Sequence, residues 1–391
     1  MGERRRLGFV RAGGGLVRLG LVIYGGLETM TGGYLYDRQL VEHLQRAGDH
    51  VEIVSLPWRS YPAHLGDNLS TGLARRLGDL GVDILLEDEL SHPSLVMANR
   101  RAARAAGAPL VAIVHHLRSS EPWPAALRPL YRTVERAYLR GVDGFVFNSQ
   151  ATRRAVERIA GAGKPFVVAP PGGDRLGAGS EDDAVRSRAG EPGSLRILFV
   201  GSLIPRKGLH VLLEALTDLP SGACSLEVIG DVERDPAYAS RVRRQIARHG
   251  LEACVRLRGA LDDQGLVEAL RRSHVLAVPS TYEGFGIAYL EAMAFGLPVL
   301  ASAAGGASDV VIDGETGYLI APGDVATLTE HLEALSRDRG LLVRFGLAAR
   351  RHAHSLPRWG DSLESIRQFL LRLASPGAVA PAISMALGGV Q

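Results

Sequence analysis

Apolar residues along this chain follow two alternating patterns. Short continuous runs end in glycine or proline, and longer segments repeat their apolar positions every three or four residues. Leu16–Tyr24 (LVRLGLVIY) is such a run and reads as a buried parallel strand. The loop Gly25–Gly33 separates it from Tyr34–Arg46, where Leu35, Leu40, Val41 and Leu44 recur at helical spacing and stop at Gly48. His50–Leu56 is a second strand, ended by Pro57. The alternation continues through strands Val82–Leu86, Leu110–His115, Gly144–Asn148 and Phe166–Ala169. Helices are expected around Pro93–Ala106 and Ala125–Arg140, and from Gln150. Strands alternating with helices predict a parallel sheet covered on both faces.

Periodicity is lost over residues 172–194, where Gly, Ser, Pro and charge dominate, and an interdomain linker is expected there. A second α/β series follows. Its strands are Arg196–Gly201, Ser225–Ile229, Val255–Leu257, Val275–Pro279, Pro298–Ala301 and Gly317–Ile320. Its helices are Gly208–Leu216, Ala237–His249, Asp263–Arg271 and Gly286–Phe295, with two more near Val325–Arg337 and Gly340–Ala353. The predicted division is a first Rossmann-like domain over 1–175, a linker over 176–194 and a second domain over 195–358. A last amphipathic helix over 359–374 precedes a flexible tail, 375–391. Two open parallel sheets facing across a cleft place ligands at the C-terminal ends of their strands.

Composition narrows the function. The 391 residues suit two α/β domains. No apolar run reaches the length of a membrane span, and the basic start, Met1–Arg6, is not followed by the apolar region of a signal peptide. Two cysteines, Cys224 and Cys254, form no disulfide framework, and a cytoplasmic setting is expected. No zinc-type spacing of His and Cys occurs. Residues 1–175 hold 23 basic and 17 acidic side chains, against 22 and 25 in residues 176–391. The basic first half leaves open a peripheral contact with an anionic inner membrane face, or a solvated arginine-rich surface. Nothing points to nucleic acid. Arginine supplies 43 of the 45 cations, so Lys164 and Lys207 stand out.

Pro279–Gly306 (PSTYEGFGIAYLEAMAFGLPVLASAAGG) carries the most chemistry. A strand, a glycine-containing turn and a helix starting near Gly286 create unsatisfied N–H groups that can hold phosphate. Glu283 lies in the turn, and Glu291 lies eight positions on, about two helical turns away. With no basic neighbours expected, the two carboxylates suit sugar hydroxyls better than phosphate. Taken alone, the turn reads first as an ordinary helix start with one N-terminal and one solvent-facing Glu.

This segment resembles the EX7E motif of retaining glycosyltransferases of family 4, which have the GT-B fold. The shared pattern is E-G-F-G-x-x-x-L-E-A-M-A-x-G-x-P-V, with a Gly-Gly turn and Asp313–Leu319 after it. Ile197–Leu216 (ILFVGSLIPRKGLHVLLEAL) resembles the family's V-G-x-x-x-x-x-K-G segment, where Gly201 ends a strand and Arg206 and Lys207 follow. The resemblance implies transfer from a nucleoside-diphosphate sugar as co-substrate, with no required cofactor and no metal. Arg206, Lys207 and the helix start at Gly286 are expected to stabilise the leaving diphosphate. Phe285, Gly286 and Ile287 are expected to border the donor. Glu283 is expected to orient the donor sugar, and Glu291 the ribose.

Other landmarks follow the same resemblance. Gly32 and Gly33 fall where the family has its glycine loop. His115 aligns with its active-site histidine, although His116 replaces the usual Gly or Asp, and a strand-end histidine is often structural. Phe147–Ser149 and Pro171–Asp174 read as architectural. Gly230 and Leu257 are expected to line the nucleotide-base pocket. The acceptor is a small molecule, a glycan or a lipid-linked sugar, met by the loops Trp58–Leu73 and Leu117–Pro129. A sugar-nucleotide epimerase or phosphorylase of the same fold is the competing expectation. A nicotinamide dehydrogenase is disfavoured, because Gly25–Gly33 lacks the GxGxxG spacing.

Overall fold

A computed structural model describes residues 16–375 and 383–384. Residues 1–15, with the basic start Met1–Arg6, lie outside the described residues. The first lobe holds β1 (Arg18–Tyr24), β2 (His50–Leu56), β3 (Ile84–Asp88), β4 (Leu110–Val114), β5 (Gly144–Phe147) and β6 (Phe166–Val168). The second holds β7 (Leu195–Val200), β8 (Cys224–Ile229), β9 (Val255–Gly259), β10 (Val275–Val278), β11 (Val299–Ser302) and β12 (Gly317–Ile320). Pairing is parallel throughout both sheets.

Strand order decides where ligands can sit. The first sheet runs β13-β6-β5-β4-β3-β1-β2 and the second β12-β11-β10-β7-β8-β9, with β13 at Ile383–Ser384. In each sheet the chain moves outward to one side and then restarts on the other. The connections diverge between β1 and β3 in the first lobe, and between β7 and β10 in the second. Such a switch point opens a crevice at the carboxyl ends of the strands.

The sequence residues fit this layout locally. β3, β4 and β5 are buried at every position, as expected of parallel strands sandwiched between helices. Helix starts carry side-chain caps: Ser149 accepts from Thr152 N, Asp235 from Tyr238 N and Asp262 from Gly265 N. The segment Trp58–Leu73, expected as loop, contains the short helix Tyr61–Gly66 and the start of Thr71–Gly78.

The last helix, Trp359–Ala374, belongs to the first lobe's core. Trp359, Leu363, Ile366, Phe369 and Leu370 are buried among Leu19, Leu21, Val111 and Val146. Fully burying each such side chain is worth about 1.5–3 kcal/mol. Asp174, where the chain leaves that lobe, accepts from Trp359 N at 3.0 Å and so pins the returning helix.

Two stretches differ from the sequence reading. The segment expected as linker, 176–194, contains the helix Asp182–Gly190, with Val185 and Ala189 buried against the second lobe. Its polarity misled because Arg188 is buried too. That guanidinium donates to the carbonyls of Phe295 and Gly296 at 3.0 and 2.9 Å, and to Arg271 at 3.3 Å. It thereby satisfies helix-end carbonyls that would otherwise be orphaned. In the segment expected as a flexible tail, Ile383–Ser384 pairs with β6 as an edge strand; residues 376–382 and 385–391 lie outside the described residues.

Candidate active site

The second lobe's switch point is built by the connections after β7 and β10. After β7 a 3-10 turn, Pro205–Lys207, is closed by Gly208 at φ +73°, whose missing Cβ would lie 2.0 Å from the Pro279 carbonyl. This close approach brings Lys207 to the β10 connection, where its Nζ meets Glu283 Oε2 at 2.6 Å. Ser280 Oγ donates to the same oxygen at 3.2 Å. Arg206 donates to the Tyr282 carbonyl at 2.9 Å and lies 4.0 Å from Glu283 Oε2.

Glu283 is aimed by its own backbone. Gly306 N donates to its carbonyl at 2.7 Å, and a Cβ at Gly305 would lie 2.0 Å from that oxygen. The Gly-Gly turn is therefore what lets the acidic loop lie flat on β11's extension. Burial alone would raise the Glu283 carboxyl, but Lys207 and Arg206 outweigh it and hold the group at about 2. Burial pulls the Lys207 ammonium below its usual range, with Glu283 opposing.

Glu291 sits on the helix Ile287–Ala294 and is buried. The expectation that the two acids lack basic neighbours fails here. Arg175 donates its Nε to Glu291 Oε1 at 2.7 Å and also bonds Asp263. Among the described residues, Glu283 Oε1 and Glu291 Oε2 have no protein partner. Each acid thus ties one oxygen to a cation.

No side chain caps the Ile287–Ala294 helix, whose N-cap Gly286 has φ +100°. A Cβ on Gly286 would strike the Tyr289 ring at 2.2 Å. Phe285 beside it is buried, and Ile287 lies 3.7 Å from where a Gly32 Cβ would be. Gly32 starts the helix Gly32–Arg46, so the helix starts of the two lobes adjoin. Gly201 packs on the Lys207 stem, and a Cβ on Gly230 would lie 2.0 Å from the Gly201 carbonyl. Gly230 N bonds the carbonyl of Gly259, two residues after the half-buried Leu257.

His115, just past β4, completes the meeting of lobes. Its ring lies against Gly33, where a Cβ would come within 3.1 Å, and its carbonyl would lie 2.3 Å from a Cβ on Gly284. Asn148 and Thr152 donate to that carbonyl, and Ser149 donates to the Gly284 carbonyl at 3.0 Å. The segment read as architectural therefore sutures the lobes. A second suture is polar: His116 Nε2 meets Glu121 Oε1 at 2.9 Å, and Arg206 Nε approaches the same oxygen at 3.5 Å. Sequence reasoning missed Asp37, Glu121 and Arg175. Asp37 and Arg175 meet partners 78 and 116 residues away, and Glu121, though it bonds nearby His116, reaches across to Arg206, so no local spacing announces these contacts.

Comparison with known proteins decides the family. Residues 32–175 match the family described as "Glycosyltransferase Family 4", and residues 182–352 match "Glycosyl transferases group 1". The chain belongs to the family 4 glycosyltransferases. It is 31% identical over 250 residues to a D-inositol 3-phosphate glycosyltransferase of Nocardia farcinica, covering 62% of this chain and 55% of the relative. The chain spans 50–58% of the length of three D-inositol 3-phosphate glycosyltransferases it matches. A phosphatidyl-myo-inositol mannosyltransferase of Mycobacterium leprae is 29% identical over 88% of this chain and 87% of its own. Among solved structures, sucrose-phosphate synthase from Thermosynechococcus elongatus superposes with a TM-score of 0.76 at 23% identity, covering 90% of this chain and 97% of that one. Anabaena HepE, solved with UDP and glucose, gives 0.72 at 21% identity, covering 90% and 99%. These likenesses establish the GT-B fold of the family 4 chain. Among its described residues, no helix is long and apolar enough to cross a membrane.

Proposed function

We propose that this chain transfers a hexose-type sugar from a nucleoside-diphosphate donor to an acceptor hydroxyl, with retention of anomeric configuration. The observation that carries the reading is the 2.6 Å pair of Lys207 and Glu283 at the second lobe's switch point, with Arg206 beside it. A diphosphate arriving there gives both cations an anion to bind. Lys207, a compact charge, moves from Glu283 to phosphate, and Arg206 adds a planar fork. Glu283, released from its cation, accepts hydrogen bonds from the sugar hydroxyls. The uncapped N–H groups beginning at Gly286 add fixed partial positive charge.

These groups favour the transition state over the ground state because negative charge grows on the leaving diphosphate as the glycosidic bond breaks. Glu291, through Oε2, takes the ribose. The departing phosphate deprotonates the acceptor on the same face, so the configuration is kept without a protein nucleophile. His115 meets the sugar from the first lobe. The acceptor, a small molecule, a glycan or a lipid-linked sugar, enters beside the loop Leu117–Pro129.

A thermal-shift screen with UDP, GDP, ADP and dTDP sugars tests the reading. One base family is expected to raise the melting temperature by mass action, and labelled donor is expected to end on an acceptor. No shift with any donor contradicts the proposal, and label returned as an epimerised nucleotide sugar favours the epimerase reading instead.

A further inference from the structure

The first lobe's switch point buries acids that the donor site does not use. Asp37, on the helix Gly32–Arg46, is fully buried, and its Oδ1 lies 3.1 Å from His115 Nε2. Asp88 ends β3, is equally buried, and uses Oδ1 to accept from Leu90 N at 3.0 Å. Oδ2 of both residues is buried without a hydrogen-bond partner among the described residues. Ligand atoms of Asp37, Asp88 and His115 all lie within 4.8 Å of one another. Buried carboxylate charge without compensation is strongly unfavourable, so this cluster calls for a positive charge, and His115 is its one basic member.

The ring of His115 has one orientation. Tyr36 packs edge-on against it with centroids 5.3 Å apart, Gly33 lies against Cδ2, and Asp37 fixes Nε2. Nδ1 has no protein partner among the described residues, and it is the nitrogen left to meet a ligand. With Nε2–H donating to Asp37, a neutral ring offers Nδ1 as an acceptor, whereas a charged ring offers N–H.

We propose that Asp37, backed by Asp88, is a positioning residue that holds His115 as a charged hydrogen-bond donor to a sugar oxygen in the cleft, which rests on the donor reading above. In this arrangement His115 orients and polarises; it does not abstract the acceptor proton. The charged groups facing it are Asp37 from the helix Gly32–Arg46 and Asp88 and Glu89 from the end of β3, with His116 next along the chain. The loop before the helix Ile287–Ala294 contributes the uncharged backbone of Gly284. Burial alone lowers the imidazole, but Asp37 first, then Asp88 and Glu89, raise it to about 9.

The decisive experiment combines nitrogen-15 NMR of the histidine rings in the full chain with donor-cleavage rates from pH 5.5 to 9. In the wild-type protein His115 is expected to be charged at pH 7 and to titrate near 9. Asp37→Asn is expected to lower that midpoint by more than one pH unit, and Asp88→Asn by less. The rate of Asp37→Asn is expected to fall tenfold or more at pH 8.5, converge on wild type toward pH 5.5, and recover in Asp37→Glu. A merely structural loss would be equal at every pH and would overturn the proposal. A neutral wild-type His115 at pH 7, or zinc binding that displaces its proton, would do the same even if the variants fail to fold. Because the ring titration needs no donor, failure of all nucleotide sugars to bind would count against the donor reading alone.

Discussion

In the second lobe both site acids have their own cations, Lys207 against the half-buried Glu283 and Arg175 against the buried Glu291. In the first lobe Glu87 accepts from the amide of Asn99 at 2.8 Å and Asp88 from the backbone of Leu90, with no cation bonded to either among the described residues. Burial drives these two in the opposite direction from Glu283: Glu87 to about 7 and Asp88 to about 8, against about 2. Glu89, also buried, rises to about 7. The difference matches the two ligands of a transfer reaction. A lobe whose acids are already neutralised by cations can exchange those partners for an anionic diphosphate. The first lobe instead holds these acids above their ordinary range, and the charge facing His115 there is first that of Asp37.

The largest expected effect comes from breaking one of these acid–cation pairs. Arg175→Ala leaves Glu291 buried without its cation and is expected to cost about 3–5 kcal/mol in denaturant unfolding. Adding Glu291→Gln to Arg175→Ala is expected to restore most of that loss, because the second change removes the uncompensated charge. Additive losses in the double-mutant cycle would mean that the pair does not exist in solution.

A smaller effect separates the lobes by pH. Glu283 is held below its ordinary range, so its stabilisation is complete above about 4.5 and is lost as pH falls toward about 2. His115 is held above its ordinary range, so its stabilisation is complete below about 6.5 and is lost as pH climbs through about 9. Asp88, raised to about 8, acts in the same alkaline direction. Amide exchange is therefore expected to quicken first around β3 and β4 on the alkaline side, and around the loop of residues 279–286 on the acid side. Uniform quickening across both lobes at either extreme would erase the contrast.

The fold was legible because burial on both faces makes parallel strands read as unbroken apolar runs. β4 and β10 needed no partner information to be found. Lys207 stood out for a different reason: in a chain that uses arginine almost everywhere, an ammonium in a loop after a strand marks a chemical preference. The rest was hidden by physics that acts at long range. Asp37 reads as one more polar position on an amphipathic helix until β4 delivers His115 to it. Arg188 reads as linker until helix-end carbonyls surround it. The cations of Glu283 and Glu291 differ in the same way: Lys207 lies in a recognisable segment, whereas Arg175 lies just past the chain's exit from the first lobe and has no pattern of its own.

The most direct test is the rate at which labelled nucleoside-diphosphate sugar loses its sugar in wild type and in Lys207→Ala, with the melting temperature recorded for both. Loss of a group that stabilises the leaving diphosphate is expected to slow cleavage by about 10²–10³-fold while the protein stays folded. Cleavage by Lys207→Ala at the wild-type rate would contradict the assignment of this lobe as the place where the sugar–phosphate bond is broken.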